Sequence, residues 1–174
     1  MRKVEVTPYN INWPLMYKKE AKKLCEIFGT EIEKIYHIGS TSVDGLISKP
    51  VIDIMPVVKD IERVDEFNNA MINAGYEPKG ENGLSDRRFF QKGGSKRTHH
   101  IHFYEIDNPA IDRHLAFRNY LRSHPDAVKK YGRLKKELSQ RFPDNIEAYI
   151  KGKEQLVSEI EKKAMYWCQN SKSD

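Results

Sequence analysis

The stretch Val51-Ile52-Asp53-Ile54-Met55-Pro56-Val57-Val58 constrains the fold more than any other. An apolar run of this length, rich in β-branched residues, predicts a strand buried on both faces, hence central in a sheet covered by helices. Pro56 has no N–H to give a ladder, which predicts it at the strand's end or at a bulge. Alternation places Val51, Asp53, Met55 and Val57 on one face and Ile52, Ile54 and Pro56 on the other. A carboxylate inside such a strand costs several kcal/mol unless it is paired, hydrogen-bonded, metal-bound or turned to a cleft. Asp53 is therefore the first candidate functional residue.

The sequence around this strand reads as α+β. Apolar residues at Tyr17, Ala21, Leu24, Cys25 and Phe28 predict one helical face over Trp13 to Phe28, closed by Gly29. Ile32 to Ile38 predicts a strand, and Ile61 to Ala74 a helix ended by Gly75. Arg88 to Lys92 and His99 to Glu105 predict a hairpin turning at Gly93-Gly94-Ser95. Beyond Asn108-Pro109, a cap followed by Pro at the first helical position, the pattern is helical throughout. A second helix opens at Pro125-Asp126 and runs to Phe142. A third opens at Asp144 with Glu147 in capping-box spacing and runs to about Trp167. The expected organisation is an α/β core over residues 1–107, helices over 108–168 in the same compact unit, and a frayed tail over 169–174.

The 174 residues, 18 of them aromatic, exceed what a disordered chain would carry. No apolar run reaches membrane-spanning length, and the first residues lack the apolar segment of a signal peptide. Two cysteines, Cys25 and Cys168, offer neither a disulfide framework nor metal spacing. A cytoplasmic protein with no membrane partner is expected. The net charge of +5 comes entirely from residues 110–174, where 14 Lys and Arg face 9 Asp and Glu; residues 1–109 balance at 16 each. Such an excess suits phosphates or merely solvates helix faces. The basic residues form no uninterrupted stripe and no nucleic-acid-reading motif appears, so specific nucleic acid is not an expected partner.

Gly39-Ser40-Thr41-Ser42 follows the first predicted strand. Such a turn presents N–H groups and hydroxyls to phosphate oxygens, or is simply a turn. Lys49 stands just ahead of the Asp53 strand, within reach of a phosphate or of Asp53 itself. His37-Ile38-Gly39-Ser40-Thr41-Ser42-Val43-Asp44-Gly45-Leu46 with Lys49-Pro50-Val51-Ile52-Asp53 resembles the GrpB family. So do Val6-Thr7-Pro8-Tyr9, Trp13-Pro14, Gly75-Tyr76, Arg88-Phe89-Phe90, His100-Ile101-His102, Phe117 to Arg122, Tyr131 with Leu134-Lys135, and Tyr149 with Lys153. The resemblance spans nearly the whole chain. It implies a nucleotidyltransferase-like fold of the polymerase-beta type: a mixed sheet with flanking helices, followed by helices packed on it. It also implies a nucleotide or phosphorylated small molecule as partner, with a nucleoside triphosphate as substrate and transfer of a nucleotidyl or phosphoryl group.

The sequence departs from that pattern at Met55, where nucleotidyltransferases carry the second of two metal-binding carboxylates. A thioether is a poor ligand for a hard cation. His100 and His102, alternating on one face with Tyr104, offer a substitute. Asp53, His100 and His102 are thus candidate ligands for Mn²⁺ or Mg²⁺, or for Zn²⁺, or the histidines serve only as hydrogen-bonding groups of a polar cleft. Asp53, His102 and Lys49 are the candidate catalytic residues. Gly39, Ser40, Thr41, Ser42, Arg88, Arg97, Arg118, Lys135 and Lys153 are the candidate phosphate-binding residues. Three functions fit: a nucleotidyltransferase, a binding module that has lost its metal pair, or a metal-dependent enzyme built on Asp53 and His102.

Overall fold

The computed structural model of the chain describes residues 2–171. The Asp53 strand forms as expected and takes a central place. It is β2 (Ile52–Val58), and with β1 (Ile32–Ile38), β3 (Glu77–Pro78), β4 (Arg87–Lys92) and β5 (His99–Glu105) it makes a five-stranded sheet of order β1-β2-β5-β4-β3. β2 and β5 are parallel, and the other pairs are antiparallel. Pro56 lies within β2 opposite Ile35, not at its end. The β2–β5 partners run from Ile52–His99 to Ile54–Ile101 and resume at Val57–Tyr104, so the ladder breaks beside the residue that lacks an N–H.

The helix α1 (Trp13–Phe28) packs by Leu24 and Phe28, with the Phe28 ring 4.8 Å from Phe103 of β5. Phe90 and Ile101 complete this face with Ile52 and Ile54. The residue that α1 buries beside Ala21 is Glu20, while Cys25, expected on the apolar face, is exposed. The predicted helix after β2 is a 3₁₀ segment, Ile61–Phe67, capped by Asp60 through the Glu62 N–H, and then the short helix α2 (Asn68–Asn73). The hairpin at Gly93-Gly94 forms as read.

Three helices follow: α3 (Pro109–Ser123), α4 (Pro125–Arg141) and α5 (Ile146–Ser171). Asn108 caps α3 through the Ala110 N–H. For α5 the capping side chain is Asn145, bonded to the Ala148 N–H, in place of the expected Asp144. The helix continues through Ser171, so of the tail expected to fray, residues 172–174 lie outside the described residues.

Contacts gather the chain into two compact units that do not follow a division at residue 107. One holds residues 12–38 and 51–111, which include the sheet. The other holds residues 1–11, 39–50 and 112–174. In the second unit Val43 and Leu46 are buried with Leu121, Tyr131 and Ile160, and Val4 with Leu138 and Tyr149. The Val4 N–H bonds the Pro143 carbonyl, and Thr7 bridges to Ser48. α4 and α5 approach closely at Gly152, where a Cβ would come within 2.5 Å of Leu138 Cδ2. Among the described residues no helix is long and apolar enough to cross a membrane.

Candidate functional site

In the sheet unit, register brings three of the expected residues together. Asp53 pairs with Ile38 on one side and with His100 on the other. Its Oδ1 lies 3.0 Å from His102 Nε2 and 3.6 Å from His100 Nδ1. The first distance is a hydrogen bond and the second is longer than one. Phe89 of β4, opposite His102, holds both imidazoles at ring separations of 5.2 and 5.3 Å. Arg97 Nη1 donates to His100 Nε2 at 3.2 Å and also to Gln91 Oε1. These side chains are part-exposed: 26% for Asp53, 19% for His100 and 14% for His102. Met55 and Val57, on the same strand face, are buried. Asp53 is therefore the polar opening in an otherwise closed surface. Burial alone would raise its pKa. The two imidazoles outweigh burial and hold the carboxyl well below the usual carboxylate range.

A divalent metal, which the resemblance implies, needs carboxylate oxygens that converge on it. Here Met55 fills the second position with a fully buried thioether. Asp53 Oδ1 is turned to the two imidazoles. Among the described residues no group of three or more His, Cys, Asp or Glu side chains is placed to hold a metal ion. Asp53, His100 and His102 meet, but they face one another.

The other unit holds the remaining candidates that cluster. Gly39 takes φ 73°, a conformation that glycine adopts without strain, and leads into the 3₁₀ turn Ser40–Ser42. The Ser42 hydroxyl bonds the Gly39 carbonyl, and Thr41 is fully buried. Lys135 of α4, 2% exposed, donates through Nζ to Ser40 Oγ and to the Ile47 carbonyl at 3.3 Å. Its ammonium also lies 4.4 Å from the centre of the Tyr131 ring, one turn back on α4. Lys49 and Lys153 both stand over the ring of Tyr149, at 5.4 and 5.0 Å. Tyr149 Oη is buried with no hydrogen-bond partner among the described residues, and burial pushes its pKa up to about 12.

Two further expected residues have side-chain partners of their own. Arg88 is held by Asp65 at 2.8 Å, and Arg118 bonds Asn119 at 3.0 Å. Arg122, four residues after Arg118 and paired with it by that spacing, donates to the Ser42 carbonyl at 2.9 Å.

A family model described as GrpB protein matches residues 3–163. The chain belongs to the GrpB family. It is 47% identical over 185 residues to UPF0157 protein YqkA of Bacillus subtilis, covering 99% of this chain and 54% of that protein, so it spans about half the length of that relative. The crystal structure of GrpB from Enterococcus faecalis superposes with a TM-score of 0.91 at 46% identity, covering 94% of this chain and 99% of that one. The Cid1 poly(U) polymerase in complex with its short product ApU gives a TM-score of 0.54 at 13% identity, covering 77% of this chain and 43% of that one. That likeness shows a nucleotidyltransferase-like fold, as the sequence led us to expect.

Proposed function

We propose that this GrpB-family chain binds a nucleotide or another phosphorylated small molecule, with the Gly39–Ser42 turn and Lys135 receiving the phosphates. The observation that carries this reading is Lys135, a buried ammonium delivered by α4 onto the Ser40 hydroxyl. Burying an ammonium costs several kcal/mol, which an anion at the same place would offset. Lys49 and Lys153 add positive charge within the same unit. The fold shared with Cid1, whose structures include one with MgGTP bound, supports a nucleotide as the ligand class. Transfer of a nucleotidyl or phosphoryl group is the extension of this reading to catalysis.

Calorimetric titration with ATP, tripolyphosphate and adenosine tests the proposal. Tripolyphosphate and ATP should bind and adenosine should not, and Lys135→Met should weaken both by about tenfold or more, the equivalent of one charge-assisted contact of ~1.4 kcal/mol. Equal binding of adenosine and ATP, or unchanged affinity in Lys135→Met, would overturn it. Incubating α-labelled ATP with a metabolite extract asks whether label is transferred.

A further inference from the structure

The Asp53 cluster carries an inference that does not rest on the phosphate reading. Arg97 Nη1 lies 3.2 Å from His100 Nε2. A guanidinium only donates, so this nitrogen accepts and the ring's proton sits on Nδ1, the atom that faces Asp53 Oδ1 at 3.6 Å. A carboxylate oxygen accepts, so His102 Nε2, 3.0 Å from Asp53 Oδ1, carries a proton as well. Both imidazole nitrogens turned toward Asp53 are therefore N–H groups, and neither has a lone pair to give a cation. Two residues along the strand, where a second carboxylate would complete a hard-cation site, is the buried thioether of Met55.

We propose that Asp53, His100 and His102 form a clasp that excludes divalent metal. The two imidazole N–H groups take the place beside the strand carboxylate that a cation would fill, and Arg97 fixes the proton position on His100. Phe89, packed against both rings, holds them in this orientation. Met55 alone does not account for the loss of the metal site, because Asp53 itself is already engaged.

The test uses Mn²⁺ alone as the probe, read by the loss of its free paramagnetic-resonance signal, so failure of the phosphate reading leaves it intact. Wild type should leave the signal at full height. His102→Asp, which removes one N–H and supplies a second carboxylate, should strengthen Mn²⁺ binding about tenfold or more. A ¹⁵N-histidine spectrum of wild type should show the proton on Nδ1 of His100 and on Nε2 of His102, unchanged by added Mg²⁺, and this needs no variant to fold. Three results would each sink the proposal. The first is Mn²⁺ binding by wild type that Asp53→Asn abolishes. The second is a His100 ring protonated on Nε2 alone, and the third a folded His102→Asp that binds Mn²⁺ no better than wild type.

Discussion

Lys135 reaches Ser40 across 95 residues of sequence, and its buried ammonium donates a hydrogen bond to the half-buried serine hydroxyl. The two partners are not equivalent when removed. Ser40→Ala leaves the buried ammonium short of an acceptor and should lower stability by about 1–3 kcal/mol. Lys135→Met replaces a buried charge by an apolar chain of similar length and should change stability little or raise it. Urea unfolding of both variants checks this, and a larger loss for Lys135→Met than for Ser40→Ala would contradict it.

Glu20 and His99 set the response to acid. Glu20 accepts from Tyr76 and Lys92 and stands 3.9 Å from His99 Nε2. Burial would raise the Glu20 pKa, but Tyr76, His99 and Lys92 outweigh it and hold the group below its ordinary 4.5. Burial lowers His99 below its ordinary 6.5 against the pull of Glu20. In both cases the unfolded chain takes up the proton first, so stability falls with pH. The His99 loss begins as pH drops below 6.5 and the Glu20 loss below 4.5. Urea midpoints at several pH values should show His99→Gln flattening the first interval relative to wild type and shrinking the second, since one of the groups that holds Glu20 down is lost.

Gly152 is the place where α5 has no room for a side chain. Gly152→Ala gains about 1 kcal/mol of helix propensity, but its Cβ meets Leu138 at Cδ2, Cδ1 and Cγ, so the whole side chain must move. Overpacking of this kind costs about 1–3 kcal/mol, and the variant should be less stable than wild type. In a Leu138→Ala background the same change should become favourable, and a double-mutant cycle reads that coupling.

Tyr149 should tolerate loss of its hydroxyl. The group is buried without a partner among the described residues, so Tyr149→Phe removes an unsatisfied polar atom and should hold or raise stability by up to about 1 kcal/mol. In wild type one tyrosine should ionise near 12 on alkaline titration, and that step should be missing from the variant. A clear loss of stability would show that the hydroxyl is bonded.

Features set by local pattern were legible in the sequence, and those set by distant partners were not. The period-2 alternation around Asp53 and across His99 to Glu105 gave β2, β5 and the meeting of Asp53 with His102. The two-residue strand β3 has too little sequence to show a period. Nothing in the sequence marks Glu20 for burial, since a charged residue in an amphipathic helix usually faces solvent, and its partners Tyr76, Lys92 and His99 come from later elements. Residues 39–50 carry no signal that groups them with α3 to α5. Val43 and Leu46 are buried by Leu121, Tyr131 and Ile160, which lie far along the chain.

The parallel pairing of β2 with β5 also has a consequence in time. During synthesis β1 and β2 emerge together, but the far side of β2 stays unpaired until residues 99–105 leave the ribosome. Until then the growing polypeptide presents an apolar strand edge, a template on which a neighbouring nascent chain can align. Truncations that end between Val58 and His99 should therefore aggregate, whereas those that retain β5 should remain dispersed. The central position of β2 makes the order of emergence a hazard that the finished sheet conceals.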